Sequence, residues 1–351
     1  MPIPHRRSIR ALFALVLAAA ALVAGCGGGD DNSSSSGSTN GSSTTADQKP
    51  LKVAFMAGIV ANPYTQASTQ AMKDLGAREN VDITVIDSQF NPDKQFGQFQ
   101  DLIAARQYDG IILLPLNGTA LKPLVKQASD AGIKIGATDL PLGPDNTTTD
   151  VQAEGVSVTV LRPFSKHGEN LGGLTVDACE GIDPCKVAFM YGVKASPFDQ
   201  QLFKSFKEAV AGSSNIQIVA ELEGQYSRDG GQRATQDVLQ AHSDLNVIVG
   251  VDQSILGAEP ALKAAGLTGK VKLIGYGGTR QGIAAVTDGR WFGDSVSAPY
   301  TEGKLALQGV IDAIRDGKDT GGLDAVTEVG APDDGRITRD NVSQFTAEYD
   351  G

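Results

Sequence analysis

KVAFMAGIVANPYTQ, residues 52–66, returns altered as KVAFMYGVKASPFDQ at residues 186–200. Nine of the fifteen positions are identical, and the copies lie 134 residues apart (186 − 52) without a gap. Each copy opens with a run of Val, Ala, Phe and Met, the composition of a strand buried on both faces. A short loop starts at Gly58 or Gly192, followed by Asn62-Pro63 or Ser196-Pro197. Asn and Ser side chains accept from the free N–H groups of a helix's first turn. Pro fits the first helical position, where its missing donor costs nothing. Both copies therefore read strand, loop, capped helix, with an aromatic residue, Tyr64 or Phe198, one step into the helix. The period is far too long for a solenoid and implies two similar lobes of domain size.

Outward from the repeat, strands and helices alternate. Strands are expected at 53–57, 83–87, 110–114 and 133–138, then at 187–191, 216–221, 247–250 and 272–275. Helical patterns fall at 63–80, 92–107, 119–131, 165–178, 198–211, 229–242 and 256–265. This is the βαβ rhythm of an α/β protein with two Rossmann-like lobes built on parallel sheets. Ligands at such sheets sit beyond the carboxyl ends of the strands. The loops there carry Asn62, Tyr64, Thr138, Asp139, residues 196–200, Tyr226, Asp252, Gln253 and residues 277–280. They come from both halves, so two facing sheets would gather them into one cleft between lobes.

The chain has 351 residues, with 41% hydrophobic and 20% charged residues, enough for two ordinary domains. A net charge of −11 and no basic stripe argue against nucleic acid as a partner. Arg6, Arg7 and Arg10 precede an apolar run over 11–24 that is short for a membrane span and fits a secretory signal. The run ends in Leu22-Val23-Ala24-Gly25-Cys26, which resembles the bacterial lipobox; the resemblance implies cleavage after residue 25 and a lipidated Cys26. Residues 26–49 are a Gly/Ser/Thr tract that cannot bury apolar surface and reads as a flexible tether. A lipid, a tether and a folded body is the layout of a protein held at a membrane surface outside the cytoplasm. The remaining cysteines, Cys179 and Cys185, are expected to form a structural disulfide in that oxidising compartment, since further metal ligands are missing around them.

From residue 51 to about 341 the sequence resembles the type I sugar-binding proteins of bacterial ABC importers, nearest the ribose-binding branch. The landmarks are ANPY at 61–64, DSQFNPDKQ at 87–95, YDGIILLPLNGTAL at 108–121 and AGIKIGATD at 131–139. VGVDQSILGA at 249–258 and LIGYGGTRQGIAAVTDG at 273–289 complete the series. The resemblance implies two discontinuous lobes, 50–156 with 298–327 and 157–297 with 328–351. They would be joined by three crossings near 154–159, 296–299 and 326–331. It implies ligand contacts at Asn62 and Tyr64 of the Asn-Pro-aromatic motif, at the cleft aspartate Asp139, and at the second-lobe aromatic Tyr226. Departures are equally plain. Leu140 stands where an Arg follows that aspartate, Gln200 replaces an Arg, Val251-Asp252 replaces an Asn-Asp pair, Gly277 replaces an Asp, and the hinge Gln falls near Ser297.

Sugars present hydroxyls that donate and accept, and C–H faces that pack on aromatic rings. Asn62, Asp139, Gln200 and Asp252 suit the hydroxyls; Tyr64, Phe198 and Tyr226 suit the faces. Trp291 reads as structural. An enzyme would need a nucleophile–base pair, a metal cluster or a phosphate loop. Of the three histidines, His5 lies in the signal, while His167 and His242 lie in helical stretches. The function expected is capture of a small carbohydrate or polyol by a monomeric, lipid-anchored binding protein that serves an ABC permease. No metal or other cofactor is expected. An amino-acid or signal-molecule receptor of the same fold is the alternative.

Overall fold

Residues 49–351 are described by a computed structural model and fold as one unit containing two α/β lobes. The signal segment, the greater part of the tether and Cys26 lie outside the described residues. In the first lobe β1 (Leu51–Ala57) pairs with β2 (Val81–Asp87) and β3 (Gly110–Leu113), and the sheet continues through β4 (Lys134–Thr138) and β5 (Val156–Leu161). All these pairs are parallel, so helices α1 (Pro63–Glu79), α2 (Pro92–Ala105) and α3 (Gly118–Asp130) make the crossovers. The second lobe repeats the plan. Its strands are β6 (Cys185–Tyr191), β7 (Ile216–Glu223), β8 (Val247–Val251), β9 (Lys272–Gly277) and β10 (Gly293–Val296). Its helices are α4 (Phe164–Ala178), α5 (Pro197–Val210), α6 (Arg228–Ala241), α7 (Asp252–Ala264) and α8 (Arg280–Asp288).

The remaining chain visits both lobes. Helix α9 (Pro299–Asp316) packs on α1 and on β3 to β5, and β11 (Gly321–Asp324) adds a parallel edge to β5. After the short α10 (Ala325–Glu328), β12 (Arg336–Thr338) pairs antiparallel with β10 in the second sheet. The final orders are β2-β1-β3-β4-β5-β11 and β7-β6-β8-β9-β10-β12, six strands each.

Alternation within the apolar strands sorts side chains to two faces. In β1, Val53, Phe55 and Ala57 join the core under α1 and α9, while Ala54 and Met56 join the core with Phe99 of α2 and Leu121 and Leu124 of α3. In β6, Val187, Phe189 and Tyr191 face α4 and α5, and Ala188 and Met190 face α6 and α7. Both faces are covered, which is why the repeated strand contains no polar alternation. Helix α9 lies so near α1 that a Cβ at Gly303 would stand 2.3 Å from Ser68 O. The Ser68 hydroxyl closes that contact by donating to Pro299 O at 2.9 Å.

The caps fall where the residue types put them. Asn62 Oδ1 accepts from Tyr64 N at 2.8 Å, and Ser196 Oγ accepts from Asp199 N at 3.5 Å. Cys179, at the end of α4, is bonded to Cys185, the first residue of β6.

One boundary differs from the sequence reading. Residues 156–161 are β5, hydrogen-bonded between β4 and β11 in the first sheet. The chain therefore first leaves the first lobe after Leu161, at Arg162 and Pro163, and not within 154–159. The cause is physical: Val156–Leu161 is buried throughout and completes the first core beneath α9. The return passage lies between β10 and α9, at residues 297–298, and the last lies between α10 and β12.

Candidate functional site

The carboxyl ends of both sheets face a shared cavity of about 680 Å³ between the lobes. The first lobe contributes Asn62 and Tyr64 from the start of α1, Phe90 after β2, Leu114 after β3, and Asp139 and Leu140 after β4. The second contributes Phe198 from α5, Gln225, Tyr226 and Ser227 before α6, Gln253 from α7, and Tyr276 and Gly277 from β9. Arg162, Phe164, His167 and Ser297 lie at and beside the crossings, and Tyr349 comes from the segment after β12. Among the described residues seven Phe and Tyr rings thus line the cavity: Tyr64, Phe90, Phe164, Phe198, Tyr226, Tyr276 and Tyr349. The lobes meet across it where Phe90 approaches Tyr226 (ring centroids 6.3 Å) and Tyr64 meets Tyr349 edge-on (5.7 Å).

Of the eight ligand contacts expected from sequence, the structure brings Asn62, Tyr64, Asp139, Phe198, Tyr226 and Ser297 to the cavity. Asp139 sits in the left-handed region at φ 65°, a strained conformation for a side-chain-bearing residue, held by its N–H donating to Val160 O at 3.1 Å. Burial raises its carboxyl to about 6, opposed by a hydrogen bond from the Tyr64 hydroxyl. Behind it Glu302, fully buried at the start of α9, accepts from Thr138 Oγ1 at 3.3 Å. Burial, and next the Asp139 charge, push Glu302 well above the usual carboxylate range, so of the two carboxyls Glu302 holds its proton more firmly.

Tyr226 offers its ring and not its hydroxyl. The hydroxyl donates to Asp199 Oδ2 at 2.6 Å, and Asp199 also accepts from Gly192 N (3.0 Å) and Val193 N (3.2 Å). The ring lies over Gly192, where a Cβ would stand 2.0 Å from Tyr226 Cζ. The glycine of the second repeat is thereby explained by contact with the cleft aromatic.

Gln200 and Asp252 do not line the cavity. Gln200 lies two residues beyond Phe198, which turns it about 200° around the α5 axis. It is exposed, and its side chain donates back to Lys194 O at 2.5 Å. Asp252 fails for another reason: α7 begins at that residue, not near 256. Its side chain folds beneath the cleft, where Oδ2 accepts from Thr279 N at 2.7 Å and the carboxyl meets that of Asp294. The neighbouring Gln253 lines the cavity instead. Trp291 is buried, donating from Nε1 to Glu259 at 2.7 Å, and Arg280 pairs outside the cleft with Asp350 at 3.2 Å.

Sequence reasoning missed the crossing cluster. Arg162 Nη1 meets Asp324 at 2.7 Å and Asp334 at 2.9 Å, and Nη2 donates to Asp334 O at 2.6 Å. His167 lies between Ser295 Oγ (2.9 Å from Nδ1) and Ser297 Oγ (3.3 Å from Nε2). Burial, with Arg162 nearby, lowers its pKa to about 3, so the imidazole is neutral. The two hydroxyls can serve one ring nitrogen as donor and the other as acceptor. Arg162 stands between β5 and α4 and His167 within the first turn of α4, and no local sequence pattern marks either role. Among the described residues, no group of three or more His, Cys, Asp or Glu is arranged to hold a metal, and no helix is long and apolar enough to cross a membrane.

A family model described as a periplasmic binding protein domain matches residues 53–319. The D-ribose/D-allose-binding protein of Pseudomonas aeruginosa is 28% identical over 208 residues, 59% of this chain and 62% of that protein. The ribose import binding protein of Escherichia coli is 27% identical over 68% of this chain and 76% of its own length. Among solved structures, an ABC transporter solute-binding protein from Mycobacterium smegmatis with bound glycerol has a TM-score of 0.72 at 27% identity, covering 86% of this chain and 99% of its own. The myo-inositol-binding protein of Caulobacter shares the fold with a TM-score of 0.72 at 21% identity, covering 84% and 96% respectively.

The buried Asp252–Asp294 pair gives a pH prediction. Burial first, then the Asp252 charge, raise Asp294, so the folded protein keeps a proton that an unfolded aspartate releases near pH 4. Stability from this group is fully present below pH 4 and is lost as the pH rises toward its folded-state pKa. In Asp294→Asn an amide donates where the proton did. As the pH rises above about 4, the unfolded-state value, the melting temperature of the parent should fall more steeply than that of the variant, measured by differential scanning fluorimetry. Equal slopes would contradict the shared proton.

Proposed function

The chain belongs to the periplasmic binding protein family, and from that premise we propose that it captures a small carbohydrate or polyol between its lobes by hinge closure and delivers it to an ABC permease. It works outside the cytoplasm as a monomer tethered through a lipid on Cys26. The observation that carries the ligand class is the cavity lining: the seven Phe and Tyr rings that can pack on C–H faces, beside the ionised Asp139 and neutral Asn62, Gln253 and Ser297 that can meet hydroxyls. The names of the relatives, which bind ribose and allose, support the same class. An α-amino acid fits less well. Its carboxylate needs a cation, and among the described residues the one cation lining the cavity, Arg162, is already engaged by Asp324 and Asp334.

A thermal-shift screen of the mature protein against pentoses, hexoses, polyols and amino acids tests this reading, since a ligand selective for the folded state raises the melting temperature. A sugar or polyol should do so and amino acids should not. With the hit in hand, Asp139→Ala should weaken binding on the order of ten- to a hundredfold, the equivalent of about 1.5–3 kcal/mol for hydrogen bonds to a charged group. The exposed control Lys318→Ala should leave affinity unchanged. An Asp139→Ala protein that binds as tightly as the parent, by calorimetry, would remove Asp139 from the site. For the anchor, Cys26→Ala in the producing cell should move the protein from the membrane fraction to the soluble one, with ligand affinity intact; full membrane retention would contradict lipidation.

A further inference from the structure

Strand β9 ends in the cleft at Gly277, which has no side chain to offer a ligand and sits at φ 142°. The space beside it is filled from elsewhere: a Cβ on Gly277 would stand 2.7 Å from the hydroxyl oxygen of Tyr349. Tyr349 lies in the segment 345–351, beyond β12, and its ring is buried between the lobes. The segment is fixed to the second lobe through Tyr349 O, which accepts from Arg280 N at 2.8 Å, and through Gly351 N, which donates to Gln281 at 2.8 Å. It also reaches the first lobe. Glu348 accepts from Thr301 N at 3.0 Å and from the Thr301 hydroxyl at 2.5 Å, both in the first turn of α9. The Tyr349 ring meets Tyr64 of α1.

From this placement we infer that segment 345–351 is part of the binding site, with Tyr349 a specificity-determining residue that supplies the ligand contact Gly277 lacks and Glu348 a positioning residue that holds it across the two lobes. The ring gives an apolar wall beside Tyr64, and the hydroxyl faces the position a β9 side chain would serve. Burial first, and then the neighbouring carboxyls Asp252, Asp294 and Asp139, raise the Tyr349 phenol well above its ordinary value, so it stays protonated and can donate to a ligand oxygen. The segment also bridges the lobes without a covalent crossing, so a ligand touching Tyr349 acts on a group that both lobes already grip.

The inference rests on the sugar-or-polyol reading, and its test separates the two. D-ribose, D-allose, myo-inositol and glycerol are titrated into the mature parent protein and into Tyr349→Phe, Tyr349→Ala and Glu348→Gln. Tyr349→Phe keeps the ring and should retain the parent melting temperature. It should bind the parent's best probe roughly two- to tenfold more weakly, as for one lost neutral hydrogen bond, and should rank the four probes differently. Tyr349→Ala should lose more affinity, and Glu348→Gln should lose it chiefly through faster dissociation. Parent affinity and ranking in both Tyr349 variants would overturn the inference. Hydrogen–deuterium exchange of the ligand-free proteins supplies a second arm. Glu348→Gln should speed exchange in peptides covering 299–304 and 345–351 together; unchanged exchange in both would show that the segment does not bridge the lobes. If none of the four binds, the titrations use the hit of the pentose, hexose and polyol screen; if that screen too finds no ligand, the sugar reading has failed, and exchange alone decides the bridge.

Discussion

A guanidinium buried at the junction of the lobes fixes the geometry on which the cleft depends. Arg162 is the first residue past β5, and its side chain is only 2% exposed. A charge taken out of water at that depth must be paired, because removing a partner from a buried pair costs about 3–5 kcal/mol. The partners are Asp324, at the end of β11, and Asp334, between α10 and β12. The first and third crossings are therefore bound to each other. His167 performs the neutral counterpart, joining α4 to Ser295 and Ser297 at the second crossing. Burial, and next the Arg162 charge, depress its pKa, so the imidazole stays neutral and adds no second cation beside Arg162. Three strands of chain held at one point leave rotation about that point as the soft motion, which is what closing a cleft requires.

The electrostatics above the hinge follow from the same economy of charge. Each lobe holds a carboxyl pair at the cleft floor, Asp139 on the cavity with Glu302 behind it and Asp252 with Asp294 beneath, and burial raises all four. Within each pair one member keeps its proton, so the floor carries about half its formal charge. Only the Asp139 side presents that charge to the cavity. The Asp252 pair is spent on the backbone, receiving the N–H groups of Thr279 and Gly278 that open α8. The walls are mainly rings, and the hydroxyl of Tyr226 is withdrawn to Asp199. A ligand held here meets broad apolar faces and a few directed acceptors.

Local chemistry made much of this legible. The repeated strand, cap and helix depend on residue type over a few positions, and both copies stand where their apolar runs and Asn-Pro or Ser-Pro steps put them. Helix phase was harder. Phe198 and Gln200 share one turn but point opposite ways, and a helix starting at Asp252 turned an expected loop residue under the floor. The segment Val156–Leu161 looks the same whether it ends one sheet or begins another, and only pairing with β4 and β11 decides. Tyr349, His167 and Arg162 were silent for a deeper reason. Their roles arise from approach of segments more than a hundred residues apart, as with Tyr349 and Tyr64, and no local pattern encodes such a meeting.

The central claim is that the lobes close on a solute about the tied crossings. Small-angle X-ray scattering of the mature protein, with and without the sugar or polyol found by screening, tests it most directly. Closure predicts a smaller radius of gyration at saturating ligand, reached with the same concentration dependence as binding measured by calorimetry. Tight binding with an unchanged scattering profile would contradict hinge closure and place the ligand in a rigid site.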